Sequence, residues 1–171
     1  MTMVPAVLVL AFGYFVGGAL GDFFFKRTPR GWVFVSIVGV LVGAVLLVFT
    51  INIPIENKSL FLLFLLLTII FVYFASPNLI STVYEITLSE VRSTALAVQY
   101  FIEKGGAALA HLLAGFIARE SSLQVAILAV CTSAWALGTV FLALTAYFVP
   151  QDCRTLREQM SVRAELERQA S

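Results

Sequence analysis

The sequence predicts an all-α membrane protein with five transmembrane helices, and three observations carry that prediction. Of its 171 residues, 60% are hydrophobic and 12% charged, against roughly 45–50% and 25% in soluble domains. The apolar residues fall into five blocks, each reaching or approaching the ~20 residues that cross about 30 Å of hydrocarbon. Short breaks rich in proline, glycine, serine or charge separate the blocks.

The first block, 3–20, is apolar and ends in small residues. It lacks the positive leader of a signal peptide, and its nearest charges (Lys26, Arg27, Arg30) lie on the far side, so it reads as a retained helix. Thr28-Pro29-Arg30-Gly31 then breaks the chain before the second block, 32–53. Gly13, Gly17 and Gly21 on the first block, and Gly39 and Gly43 on the second, recur every four residues. That spacing lets helix backbones approach closely in lipid, for fixed packing or for a sliding interface. The third block, 60–83, follows Pro54 to Ser59. Pro77 and Asn78 are expected to kink it near its inner end, freeing backbone groups that need protein or water.

The segment from Glu85 to Arg92 leads into the fourth block, 93–118, and Arg119-Glu120-Ser121-Ser122 into the fifth, 123–149. The fifth is apolar nearly all round, with Trp135 and Tyr147 as its polar-edged aromatics. It is expected to face lipid. Residues 1–150 thus make the membrane domain. Residues 151–171 make a polar tail in which Arg154, Arg157, Arg163 and Arg168 are matched by Asp152, Glu158, Glu165 and Glu167. Such balance predicts a solvated tail, or a short surface helix, with little pull toward anionic lipid.

Charge sets the expected direction. If the first loop, the third loop and the tail are cytoplasmic, they hold Lys26, Arg27, Arg30, Arg92, Arg154, Arg157, Arg163 and Arg168, against Lys58 and Arg119 outside. The positive-inside rule then places the N-terminus outside and the C-terminus in the cytoplasm of a multi-pass cell-membrane protein.

Several function classes drop out. A net charge of +1 with no basic tract gives no footing on nucleic acid. Cys131 and Cys153 have no zinc or redox spacing and read as free thiols. No nucleophile motif or metal-ligand cluster is present, so neither an enzyme, a metal nor a cofactor is expected.

What remains is the fourth block, which carries Glu103, Lys104 and His111 inside an apolar helix. Charges near the bilayer centre cost roughly 2.5–3.5 kcal/mol each on insertion scales, so they should not face lipid. At about 100° per residue, Tyr100, Glu103, Lys104, Ala107 and His111 share one arc of roughly 100°. Gly106, Ala110 and Ala114 form a small-residue strip beside it. One reading is a stripe lining a solute or ion path. The other is a buried ion pair that only fixes packing, with His111 satisfying a core hydrogen bond. Tyr73, Ser76 and Asn78 on the third block are candidates for the same cavity, or again for ordinary packing.

Two loops add a resemblance. Gly18, Asp22, Lys26 and Arg27 fall in register with the loop motif of the major facilitator superfamily: glycine, three residues, acid, basic, any, glycine, basic, basic. Phe23 replaces the usual basic residue and Phe25 the usual glycine. Glu85-Ile86 and Val91-Arg92 look like the sugar-porter loop, with Leu88 where proline is usual, so no sugar substrate is carried across. Residues 1–150 thus resemble helices 8 to 12 of this twelve-helix family of secondary transporters, part of its C-terminal half.

The resemblance implies a fragment moving a small polar solute by alternating access, with protons as a candidate coupling ion. It implies missing N-terminal helices as partners, so that the chain alone would not transport. Tyr73, Asn78, Tyr100, Glu103, Lys104 and His111 would lie on the pathway, Glu103 carrying a proton and Lys104 facing an anionic substrate. Asp22, Lys26, Arg27, Glu85 and Arg92 would be cytoplasmic gate charges that pair in the outward-open state. The competing expectation is a standalone membrane subunit or assembly factor that docks through its polar helix face.

Overall fold

The computed structural model describes residues 3–54 and 56–170; Ile55 in the second break and Ser171 at the tail end lie outside the described residues. Among the described residues there are six α-helices: α1 (Met3–Phe25), α2 (Gly31–Asn52), α3 (Lys58–Val72), α4 (Ala75–Ile86), α5 (Arg92–Glu120) and α6 (Leu123–Ala170). No strand occurs among the described residues. With α3 and α4 counted as one segment, Lys58–Ile86, five helices are long and apolar enough to cross a membrane. An all-helical, multi-pass architecture is thus compatible with every long element.

The α3–α4 interruption falls at Tyr73 and Phe74, one turn earlier than the kink expected at Pro77 and Asn78. The reason is local. Pro77 has no N–H to offer the Tyr73 carbonyl four residues before it, and its ring crowds that oxygen. Asn78 sits on the continuing helix α4, where it is fully buried.

The glycines of α1 and α2 grip this interruption from two sides. An added Cβ at Gly13 would lie 2.9 Å from the Ile70 carbonyl oxygen, and one at Gly17 2.5 Å from the Phe74 Cα. At Gly39 it would lie 2.6 Å from the Phe71 oxygen, and at Gly43 2.5 Å from a Val72 methyl. Each would be a hard overlap, so the missing side chains are what lets three backbones meet. Thr50 and Thr68 add a polar link, their hydroxyls 3.3 Å apart between α2 and α3 while each also bonds its own helix.

Helix α2 touches α1, α3, α4 and α6. Its Val33 and Val40 form the core with Leu142, Val149 and Cys153 of α6, and Leu79 and Ile86 of α4 pack against them. The fifth membrane segment supports its neighbours, α6 joining α2 to α4 and α5, while Phe141, Tyr147 and Phe148 keep one side exposed. It does not stop at the tail. It runs 48 residues with Pro150 inside it, about 70 Å, so the polar tail is the end of a long helix rather than a loose segment.

Helix α5 is the outlier. It rests on α6 and touches α4, yet none of its residues is buried.

Candidate functional site: a polar stripe and its cleft

The stripe expected on the fourth membrane segment forms on α5. Glu103 and Lys104 bond each other, Lys104 Nζ donating to Glu103 Oε1 at 3.0 Å, with 54% and 75% of their side-chain surfaces exposed. Neighbouring residues on a helix point about 100° apart, so this pair sits across the face rather than along it. His111 Nδ1 lies 2.6 Å from the Ala107 carbonyl oxygen. A carbonyl only accepts, so Nδ1 carries the proton and Nε2 is left as the acceptor. Beside the stripe Gly106 meets nothing, an added Cβ there having no neighbour within 4 Å, while Ala110 and Ala114 of the same strip are half-buried.

Between α4 and α5 lies a cleft of about 330 Å³. Tyr73, at the α3–α4 interruption, and Ser76 line one wall; Gln99, Tyr100 and Glu103 line the other. Four of these five lie on positions singled out in the sequence. Gln99 was not among them because it falls about 40° outside the arc of the stripe. It is visible only as a lone amide in an apolar helix, and its oxygen is buried without a donor. The cleft sits at the low end of the ~300–1,000 Å³ range of small-molecule sites.

Three expected pathway residues stand apart from this cleft: Lys104, which holds Glu103 from outside it, Asn78 and His111. Asn78 faces α1 instead. Its Nδ2 donates to the Gly17 oxygen at 3.1 Å and to the Phe74 oxygen at 2.7 Å, and its Oδ1 fills the space a Cβ on Gly21 would need. That corrects its expected place: Asn78 ties α4 to α1. His111 lies two turns beyond Glu103, outside the cleft lining.

The expected gate charges gather at the opposite end from the α5–α6 turn, but they do not pair with one another. Asp22 accepts the indole N–H of Trp32 at 2.8 Å, closing the α1–α2 turn where Trp32 stacks on Phe25 with ring centroids 3.6 Å apart. Arg27 lies 4.8 Å over the Phe23 ring. Lys26 caps the same α1 end through its backbone N–H to the Asp22 oxygen. Arg92 donates to the Tyr84 carbonyl at 2.9 Å and sits 4.7 Å above the Tyr84 ring.

Glu85 pairs with the tail: Arg157 Nη2 lies 3.4 Å from its Oε1. Arg163 likewise meets Glu90 at 2.8 Å. Sequence reading missed both pairs because they join residues more than seventy positions apart. Backbone hydrogen bonding, then the Arg163 guanidinium, holds the Glu90 carboxyl below its ordinary range. Burial pushes the Cys153 thiol up, and the nearby Glu85 carboxylate adds to that. The tail helix is therefore strapped to the α4–α5 loop over a buried thiol.

No protein-family model, curated protein or solved structure matches the chain.

Proposed function

We propose that the chain is part of a secondary active transporter of the major facilitator kind, moving a small polar solute across the cell membrane by alternating access. Helix α5 lines the passage, and the charged turns and tail at the cytoplasmic end gate it. The observation that carries this reading is that Glu103, Lys104 and His111 stand exposed on a helix with no buried residue. In a bilayer such groups must meet water or further protein. Additional helices that complete a second wall would turn the open α4–α5 face into a passage.

The test is water access. Single cysteines at 103, 107 and 111, with Cys131 and Cys153 replaced by serine, are labelled with a membrane-impermeant maleimide in native membranes. Labelling that rises and falls with conditions driving transport supports the reading. Uniform silence at all three positions in every condition overturns it.

A second reading rests on the open space over Gly106. A glycine there fits close approach by a partner helix, so α5 would dock a subunit and conduct nothing. Under that reading the stripe never labels, while a cysteine at 106 crosslinks to a protein neighbour.

A further inference from the structure

We propose that the α4–α5 cleft binds a small organic cation, with the Glu103 carboxylate as its counter-ion and Lys104 as the internal cation it displaces. This deepens the transporter reading and rests on it for the claim that solute reaches the cleft from water.

The charge inventory decides the class. Among the residues lining the cleft, Glu103 is the charged one, and no lysine, arginine or histidine lines it. The other polar liners are the hydroxyls of Tyr73, Ser76 and Tyr100 and the Gln99 amide. An anion entering there would meet a like charge that no cation among the lining residues offsets. A cation meets a carboxylate and two tyrosine rings, and aromatic faces attract ammonium groups. The unpartnered Gln99 oxygen lacks a donor, which an ammonium N–H supplies.

Lys104 has the wrong placement for an anion site. Its side chain is three-quarters exposed and it holds one Glu103 oxygen from outside the cleft. That pair keeps Glu103 neutralised while the cleft is empty. It is also exposed and spans adjacent positions, so it is weak and yields to a better-placed cation.

The experiment uses the full chain in lipid nanodiscs. Calorimetric titration compares benzyltrimethylammonium with benzenesulfonate and benzyl alcohol, which share the ring and differ in charge. Binding of the cation alone is expected, weakened at least about tenfold by Glu103→Gln, the loss typical of a charged partner, and strengthened by Lys104→Gln. To separate a binding loss from a folding loss in Glu103→Gln, the unaltered chain is also treated with a carbodiimide and its modification mapped at Glu103. Benzyltrimethylammonium is expected to protect that carboxyl and benzenesulfonate not to.

Preferential anion binding that Lys104→Gln abolishes overturns the proposal, and so does equal modification with and without the cation. Either result leaves the transporter reading standing if the stripe still labels from water. Cation binding in nanodiscs with a stripe that never labels in native membranes instead overturns the transporter reading.

Discussion

Single residues divide this chain into a tight part and a loose part. Gly17, Gly21 and Gly39 sit where any side chain collides with backbone or with Asn78 and Phe74, whereas Gly105 and Gly106 face open space. Gly39→Val is therefore expected to destabilise the chain by about 1–3 kcal/mol, the usual cost of overpacking. Gly106→Ala should stay within roughly 0.5 kcal/mol, as surface changes do, or gain slightly from helix propensity. Unfolding in mixed detergent micelles measures both, and equal losses would contradict the division. Asn78 belongs to the tight part. Asn78→Ala removes donors to two carbonyls and opens space beside Gly21, with an expected loss of about 1–3 kcal/mol, while leaving any cleft ligand affinity unchanged.

At the scale of elements, the α3–α4 interruption and the strapped tail make separate predictions. Pro77→Ala restores the N–H that Tyr73 lacks and should join α3 to α4, moving Tyr73 relative to Glu103. A spin label pair on residues 61 and 84 would then report a longer separation, and an unchanged distance would show that the break has another cause. The tail prediction uses chemistry already present. Arg163→Gln and Glu90→Gln should each speed maleimide labelling of Cys153, whose thiol is buried and held up in pKa under the docked helix. Because Glu90 has a lowered pKa in the docked state, its contribution is fully present above its free value, about 4.3. It is lost as pH falls through the lowered one. Raising salt should loosen the strap as well, since both arginines and Glu90 are more than half exposed and exposed charges are screened.

How much of this was legible follows from the same elements. Length and hydropathy placed the start of each apolar segment to within a few residues, because the breaks carry charge or proline. The stripe was legible because α5 has one helical period from end to end. The tail was not: its balanced charges read as solvation, and the partners Glu85 and Glu90 that hold it become neighbours only after α4, α5 and α6 fold back. Asn78 was misplaced for a related reason. A polar residue in an apolar helix announces that it needs a partner, but the partner here is a carbonyl of α1, and sequence does not say which neighbour a helix turns toward.

The whole molecule is a firmly packed group, α1 to α4 with α6, carrying α5 along one side. With α2 at its centre and α5 unburied, stability should reside in the first group. Replacing exposed α5 residues such as Phe101 or Leu112 by alanine is expected to change detergent unfolding by less than about 0.5 kcal/mol, in contrast to Leu142→Ala in the core at roughly 2–5 kcal/mol. The proposed orientation has its own check. Protease added to sealed inside-out vesicles should trim the arginine-bearing end of α6, and the same protease on right-side-out vesicles should not.

One consequence of the glycine grip reaches beyond stability. Gly13, Gly17, Gly39 and Gly43 sit on two different helices yet abut the same five-residue ridge, 70–74. Neither flank can accept bulk unless that ridge gives way, and trimming the ridge opens gaps on both flanks at once. At Gly17 and Gly39 those overlaps are with the ridge's backbone and Cβ atoms, so shortening Phe74 should not rescue a Gly39→Ala lesion, nor should it admit alanine at position 17.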